Sequence, residues 1–400
     1  MTEQAATLPL YPFPTPHSLD DDPELARLRA EQPVAKVRIA SGHEVWIATR
    51  HEDVKRVMSD PRFSRAQAVR PGAPALIPSV QSPDMLIGLD PPAHTRLRSL
   101  VNKAFTYRAV ERLRPRVVAI VAELIDVMAG QAPPVDVVAH LATPLPGRVI
   151  CEALGIPAEE QVRLDRFLDY IASNSSLPPE EAGPVVEDAM AYITELIGRR
   201  RQQPGDDLLT TMVQAHDGAD KLTLPELLMN TLLLFGAAQD TTRNQLANSL
   251  LALFRHPDQL ELLVRQPDLV PQAVEELLRF IRITQAALGR VATVDVELGG
   301  VTIRAGETVF PLFHSANRDG AVFDRPDELD VTRRDAGAHV GFGHGPHFCV
   351  GAALARMELQ LALRALLTRF PTLQPAVPLA ELEWQEGPTL RTLTALPVTW

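Results

Sequence analysis

The sequence predicts a single, mainly α-helical domain with small β-sheets. Amphipathic segments of helical period follow one another along most of the chain after residue 90. No stretch rich in glycine, serine or like charges resembles a linker, and no internal repeat divides the 400 residues. One apolar segment after Thr223 is long enough to cross a globular protein as one helix. We therefore expect one domain over residues 1–400, although this length allows roughly two or three.

Composition narrows the class of protein. Hydrophobic residues make up 46% and charged residues 22%, as in ordinary globular proteins. The formal net charge of −11 disfavours a general role in nucleic-acid binding, which needs a basic surface. The first 19 residues lack the basic start and apolar core of a signal peptide, and the apolar run 232–238 is too short to span a bilayer. With two distant cysteines and no disulfide framework, we expect a cytoplasmic protein without a membrane or nucleic-acid partner.

Elements of the first half can be placed from local patterns. The segments 34–39 and 44–50 flank Ser41-Gly42 and predict a β-hairpin. Asp90 precedes two prolines and is an N-cap candidate for a helix over 93–105. Amphipathic patterns then predict further helices, at 110–128 and 187–203.

The longest predicted helix begins with a capping-box pattern, Thr223-Leu-Pro-Glu226. It extends to about Phe254, a length of roughly 45 Å at 1.5 Å per residue. A helix this long and apolar must cross the middle of the protein. Its polar interruption, 239–242, is therefore buried, and buried polar groups need hydrogen-bond partners or a function.

The C-terminal part changes to short strands after Arg290, in the segments 294–298, 301–303 and 307–312. A last helix follows Cys349 and ends before Pro371. It carries a polar stripe at fourfold spacing, formed by Arg356, Gln360, Arg364 and Thr368. The tail, 390–400, has the pattern of a strand.

A glycine-rich loop delivers Cys349 to the start of that last helix. Backbone N–H groups and the positive end of the helix dipole stabilise a thiolate there. Gly345 and Gly351 permit unusual φ values and a close approach to a flat ligand. A thiolate is also the axial ligand that promotes O–O cleavage on haem iron. A lone cysteine is more often a buried structural thiol, and Cys151 takes that interpretation.

The loop has the pattern Phe-x-x-Gly-x-His-x-Cys-x-Gly, formed by Phe342, Gly345, His347, Cys349 and Gly351. This pattern resembles the haem-binding loop of the cytochromes P450. The resemblance implies the fold of that family, with the haem between the long central helix and the helix after the loop. It also implies haem b (heme b, iron protoporphyrin IX) ligated by Cys349. The expected activity is that of a monooxygenase, which inserts one atom of O2 into a small organic substrate.

A second part of the resemblance is Glu276-x-x-Arg279. Residues three apart on a helix share a face, so the two form an ion pair. An isolated pair of this kind would be a solvated surface pair. Placed before a haem loop, it resembles the family's buried pair, whose third member would be Arg333. Leu329 stands where the family usually has phenylalanine. The resemblance implies that these residues hold the fold around the haem.

A third part is Ala237-Ala-Gln-Asp240-Thr241-Thr in the central helix, which resembles the family's oxygen-binding motif. An acid followed by an alcohol can relay protons to bound dioxygen, so Asp240 and Thr241 are the candidate catalytic residues. Ala238 replaces the more usual glycine. The alternative is a capped kink or a hydrogen bond within the core.

A fourth part concerns the haem propionates. His94 and Arg98 are four residues apart and share a helix face, which suits two carboxylates. The resemblance assigns this role to them, and further propionate contacts to Arg290 and His347, with His339 an additional candidate. The alternative for His94 and Arg98 is a surface helix.

The family's substrate pocket maps onto apolar positions and one amide, namely Phe235, Ala237, Ala238, Gln285, Leu288 and Leu390. These suggest a natural-product substrate, free or carrier-protein-bound, and a biosynthetic tailoring hydroxylase or epoxidase. Ferredoxin and ferredoxin reductase are the expected electron donors, because no flavin or iron–sulfur module is appended. Two alternatives remain: a peroxygenase using H2O2, disfavoured by Asp240-Thr241, and a non-catalytic haem sensor, which needs no proton relay.

Overall fold

The computed structural model describes residues 8–14, 19–20, 22–76, 83–164, 166–167, 179–217, 222–284, 288–385 and 392–400. The fold is mainly helical, as the sequence predicts. The helices that build it are, in chain order, α1 (Pro23–Glu31), α2 (His51–Ser59), α3 (Ala93–Ala104), α4 (Tyr107–Ala129), α5 (Pro144–Leu154), α6 (Pro179–Gln202), α7 (Leu208–Asp217), α8 (Leu224–Arg255), α9 (Pro257–Arg265), α10 (Val270–Phe280), α11 (Phe313–Ala316) and α12 (Ala352–Arg369).

The strands are short. They are β1 (Leu10–Tyr11), β2 (Val34–Ile39), β3 (Glu44–Ala48), β4 (Phe63–Ser64), β5 (Val135–Asp136), β6 (Arg290–Ala292), β7 (Val296–Leu298), β8 (Val301–Ile303), β9 (Thr308–Pro311), β10 (Gln374–Pro375) and β11 (Pro397–Thr399). Within the described residues, one sheet has the order β1-β2-β3-β9-β6-β4, a second has the order β10-β11-β5, and β7 pairs with β8.

The predicted hairpin is confirmed, because β2 and β3 pair antiparallel from Val34 opposite Ala48 to Arg38 opposite Glu44. The strands predicted after Arg290 are also present, as β7, β8 and β9. The prediction of a strand over the whole tail is wrong. Among its described residues, the tail forms β11 and an isolated antiparallel bridge from Leu393 to Trp384, and the backbone N–H of Leu396 between them donates to the Asp136 carboxylate.

Helix α8 begins as its capping box predicts. The backbone N–H of Thr223 donates to Glu226 Oε2 at 2.9 Å, and the backbone N–H of Glu226 donates to Thr223 Oγ1 at 3.3 Å. The helix ends at Arg255, one residue beyond the predicted end. Its first half packs into a core with α3, α5, α6 and α7, and its second half into another core with α4, α10 and α12. The middle of α8, between these two cores, is where its polar residues 239–245 lie.

The helices predicted near residues 93, 110 and 187 are present as α3, α4 and α6, but Asp90 is not the N-cap of α3. Its carboxylate accepts hydrogen bonds from Ser64 Oγ at 2.5 Å and from the backbone N–H of Arg65 at 2.8 Å. The Asp90 side chain therefore caps the turn after β4 and not, as the local pattern predicts, the start of α3. Among the described helices, none has the length and apolar character needed to cross a membrane.

Candidate functional site

The cysteine loop lies between β9 and α12 and holds its shape with backbone hydrogen bonds. The N–H of Cys349 donates to the carbonyl oxygen of Phe342 at 2.9 Å. Gly345 has φ +68°, and a Cβ there would lie 2.8 Å from the carbonyl oxygen of Met58, so only glycine fits. Gly351 has φ −83°, so the prediction of an unusual φ is wrong at that position. A Cβ at Gly351 would lie 4.0 Å from Cys349 Sγ, an ordinary van der Waals distance, so the space beside the sulfur does not itself require glycine.

The two cysteines differ in environment. Cys151 is buried in the core, whereas Cys349 keeps exposed surface. Protein atoms still surround Cys349 densely, and this burial raises the pKa of its thiol. The N–H of Gly351 and the guanidinium groups of Arg98 and Arg356 act in the opposite direction but do not prevail. The predicted thiolate is therefore not favoured by the protein alone, and a metal cation at the sulfur would supply the missing positive charge.

Four cationic or titratable side chains, which we call the Arg290 cluster, approach this loop: His94, Arg98, Arg290 and His347. The rings of His94 and His347 have centroids 4.2 Å apart. Arg98 joins α3 to the loop, because its Nη2 donates to the carbonyl oxygen of Phe348 at 2.5 Å. Arg290 is 4% exposed and donates Nη1 to the carbonyl oxygens of Leu288 and Gly289, each at 3.2 Å.

Among the described residues, no carboxylate forms an ion pair with the Arg290 cluster, although Asp90 is near enough to act on His94 and Arg290. Burial, with Arg65 nearby, lowers the pKa of Arg290 to about 9. Burial, with Arg290 and His94 nearby, lowers the pKa of His347 to about 2. His94 is 2% exposed, and its Nε2 has no hydrogen-bond partner within the described residues. An unpaired imidazole nitrogen beside the guanidinium groups of Arg98 and Arg290 favours an acidic ligand. The residues therefore fit the two propionates of a haem whose iron meets Cys349.

His339 does not belong to this cluster. Its Nε2 lies 3.3 Å from Glu275 Oε2, and its Nδ1 accepts from the backbone N–H of Gly341 at 3.0 Å. Both ring nitrogens thus have partners in the protein. Glu275 also accepts two hydrogen bonds from Arg356, at 2.7 and 2.8 Å. We therefore remove His339 from the candidate propionate contacts.

A second charged group, which we call the Glu276 cluster, consists of Glu276, Arg279 and Arg333. The predicted pair is confirmed as a buried one: Arg279 donates Nε and Nη2 to the two Glu276 oxygens, at 2.7 and 2.8 Å, and both side chains are 0% exposed. Arg333 Nε donates to Glu276 Oε1 at 3.1 Å. Remaining N–H groups of both arginines donate to backbone carbonyl oxygens, including that of Glu328. Leu329 is buried beside them in the core.

The central helix α8 has one open stripe. Met229 and Leu233 are half-buried, and Ala237 and Thr241 are exposed, although most neighbours on the other faces are buried. Fourfold spacing places these residues on one face, which therefore borders open space rather than protein. Thr241 lies on this face, and its Oγ1 donates to the carbonyl oxygen of Ala237 at 2.8 Å.

The substrate-pocket prediction is partly corrected. Phe235 is 0% exposed and packs in the core, so its assignment to the pocket is wrong. Half a turn away, Leu233 is on the open stripe instead. Ala238 is half-buried against the core, and Leu288 is half-buried. The two other candidates, Gln285 and Leu390, lie outside the described residues.

Two buried polar residues were missed. Arg65 is 3% exposed and borders the Arg290 cluster. Glu358 in α12 is 2% exposed, and its Oε2 has no hydrogen-bond partner among the described residues. Neither lies in a recognisable motif. A charged residue on the apolar face of α12 was the available signal for Glu358.

Comparisons with known proteins agree with this geometry. The family model for cytochrome P450 matches residues 27–387. The curated Nocardicin C N-oxygenase of Nocardia uniformis subsp. tsuyamanensis is 46% identical over 98% of each chain. The Mycinamicin IV hydroxylase/epoxidase of Micromonospora griseorubida is 43% identical, also over 98% of each chain. The crystal structure of the LnmA cytochrome P450 hydroxylase, from the leinamycin biosynthetic pathway of Streptomyces atroolivaceus S-140, has a TM-score of 0.91 and 42% identity over 98% of this chain and 100% of that one.

Proposed function

This chain belongs to the cytochrome P450 family and is a monooxygenase, and from that premise we propose that it is a tailoring hydroxylase or epoxidase of natural-product biosynthesis with the site residues set out below. Members of the family bind haem iron and need O2 and a redox partner. For this chain we propose haem b, ligated by Cys349. The observation that carries the proposal is that no carboxylate among the described residues pairs with the buried Arg290 cluster, which lies beside an exposed cysteine.

Different residues are proposed to bind the iron and the propionates of the cofactor. Thiolate-ligated haem supplies dioxygen binding and O–O cleavage when it is bound. Cys349 Sγ would bind the iron, and the N–H of Gly351 donates toward that sulfur. His94 Nε2, Arg98, Arg290 and His347 would bind the propionates, which would give the His94 nitrogen a partner and place negative charge beside the two guanidinium groups.

Proton delivery is the proposed task of Asp240 and Thr241. Thr241 Oγ1 lies on the open stripe of α8 and donates its hydrogen to the carbonyl oxygen of Ala237, so its lone pairs can accept a hydrogen bond from a proton donor. The half-buried Asp240 precedes it and can pass protons inward. Thr241→Ala should lower the fraction of electrons recovered in product at least about tenfold, whereas Thr241→Ser should retain most of it. Unchanged coupling in Thr241→Ala would refute proton delivery by this residue.

The substrate is proposed to lie against the same stripe. Met229, Leu233 and Ala237 present an apolar surface, and Leu288 is a further candidate contact. Such a surface suits an apolar or mixed natural product, and the relatives named for nocardicin and mycinamicin support that class. The substrate can be free or carrier-bound. We propose ferredoxin and ferredoxin reductase as electron donors and a cytoplasmic location.

An optical experiment on the full chain tests the assignment. The reduced protein with carbon monoxide should show the long-wavelength Soret band that a thiolate ligand produces. Cys349→Ser should abolish this band, while the matched control Cys151→Ser should keep it, since Cys151 lies in the core. Absence of the band in the parent protein after haem is supplied, or its survival in Cys349→Ser, would refute the proposed ligand.

A titration of the ferric protein with candidate natural products then addresses the substrate. A shift of the Soret band from low spin toward high spin indicates that a compound displaces the iron-bound water. Leu233→Phe should weaken binding of large ligands, because Leu233 lies on the open stripe. Phe235→Leu, buried beneath it, should not change ligand selectivity. The reverse pattern would contradict the pocket described above.

A further inference from the structure

A second buried arginine, Arg65, meets Arg290 at a single carbonyl oxygen. Arg65 follows β4, is 3% exposed, and donates Nε to the carbonyl oxygen of Ile87 at 3.0 Å. Its Nη1 donates to the carbonyl oxygen of Gly289 at 3.3 Å, the same atom that accepts from Arg290 Nη1 at 3.2 Å. Two buried guanidinium groups therefore lie side by side.

These two cations have no ion pair with a carboxylate within the described part of the chain. Asp90 is near enough to act on both, but its oxygens accept from Ser64 Oγ, the Arg65 backbone N–H and the Ala66 backbone N–H, at 2.5, 2.8 and 3.3 Å. Burial lowers the pKa of Arg65 to about 10. Like charges in a poorly solvated site are unstable unless an anion lies nearby.

Arg65 also connects the two chain segments that lead into the Arg290 cluster. Ile87 precedes α3, which carries His94, and Gly289 is adjacent to Arg290 at the start of β6. A single guanidinium thus bonds the backbone on both sides of the place where the propionates are proposed to bind. Its position sets the spacing between these segments as well as adding positive charge.

We propose that Arg65 is a positioning residue for the haem acid groups: it holds Ile87 and Gly289 in register and contributes a positive charge to the propionate site without contacting the propionates. This role rests on the proposed function. A mere structural link between two loops would need the hydrogen bonds but not the charge. The two roles therefore predict different behaviour for variants that keep or lose the charge.

The test compares Arg65→Gln and Arg65→Lys in the haem-loaded full chain. Removing the charge should speed transfer of haem to excess apomyoglobin about tenfold, because the propionate site loses a nearby positive charge and the hydrogen bonds that hold Ile87 and Gly289 in register. It should also shift the ferric/ferrous midpoint potential to more negative values, because a nearby cation favours the more negative reduced state. Arg65→Lys should keep the parent potential and most of the haem retention. The matched control is Arg62→Gln, an exposed arginine paired with Asp60, which should match the parent in both measurements.

Each outcome decides the matter. Parent-like haem transfer and potential in Arg65→Gln would overturn the proposal. Equal damage in the glutamine and lysine variants, with the potential unchanged, would leave only a structural link and would also overturn it. If Arg65→Gln does not accumulate as folded protein, Arg65→Lys decides, because lysine keeps the charge but cannot keep both hydrogen bonds of the link. A parent-like potential together with parent-like haem transfer supports the proposal, and a shifted potential or fast haem transfer overturns it. Loss of the thiolate Soret signature in the parent would instead refute the proposed function itself.

Discussion

The Glu276 cluster and the Arg290 cluster are both buried and charged, yet they differ in how their charges are balanced. In the first, one carboxylate accepts from two arginines, and backbone carbonyl oxygens accept further N–H groups. In the second, cationic side chains face one another and an imidazole nitrogen has no partner among the described residues. The charges of the Glu276 cluster are balanced within the protein, whereas those of the Arg290 cluster need an anionic ligand.

This difference separates a structural role from a binding role. A buried ion pair with all its hydrogen bonds satisfied holds elements together, here α10 and the segment around Arg333. A buried group of cations without an anion is unstable until a ligand binds. The positions of its side chains therefore indicate the charge and the location of that ligand. Each cluster contains two arginines, so the presence of arginine alone does not distinguish them.

The largest expected effect is on the Glu276 cluster. Glu276→Gln removes the carboxylate that two buried arginines share and should lower the free energy of unfolding by about 3–5 kcal/mol, as for other broken buried pairs. Urea denaturation followed by circular dichroism measures this. The loss should occur with and without haem. The exposed Glu261, paired with Arg265, supplies the control Glu261→Gln, which should change stability little.

A smaller and opposite behaviour is expected for the Arg290 cluster. Arg290→Gln should speed haem loss roughly 10- to 100-fold, because a charged contact to a propionate is removed. The haem-free protein should not lose stability and should gain about 1 kcal/mol, because an unpaired buried charge is gone. Haem transfer and urea denaturation of the haem-free protein check the two parts.

The exposed Arg304, paired with Asp295, provides the control for this prediction. Arg304→Gln should leave both haem transfer and haem-free stability unchanged. If Arg290→Gln destabilised the haem-free protein as strongly as the haem-loaded one, the distinction between the two clusters would fail. The Arg290 cluster would then be a structural one.

Much of the fold could be predicted because its signals are local. The capping box of α8 spans four residues, and the cysteine loop spans ten, so both can be recognised without knowing the rest of the chain. The role of Arg65 could not be predicted, because its partners Ile87 and Gly289 are 22 and 224 residues away. Local pattern also misassigned Asp90, whose carboxylate is bound by a turn 25 residues earlier.

The open stripe of α8 shows a different limit. A helical pattern gives the spacing of a face, but the direction of that face depends on which elements pack around the helix. Phe235 was placed in the pocket, although α6 and α7 contribute to the core that covers it. The residue that lies four positions before Ala237, Leu233, shares the open face instead.

Glu358 gives the smallest expected effect and sharpens the comparison, because it is a buried acid outside both clusters. Burial raises its pKa from 4.5 to about 8. The folded protein therefore holds a proton that the unfolded chain releases, so the contribution of Glu358 to stability is complete below about pH 4.5 and is lost as the pH rises toward about 8. Glu358→Gln should be more stable than the parent by roughly 1–2 kcal/mol at about pH 9, with a smaller difference at about pH 5.

Urea midpoints of the haem-loaded protein at these two pH values measure the effect, and Glu383→Gln, on the surface, is the matched control. A stability difference that is the same at both pH values would mean that Glu358 keeps one protonation state throughout. In that case an acid can be buried here without an ionic partner and without a pH-dependent cost, and the absence of an anion in the Arg290 cluster would be weaker support for a ligand. A difference that grows with pH shows that this interior does not tolerate an unbalanced charge, which is the condition under which the cations around Arg290 demand an acidic cofactor.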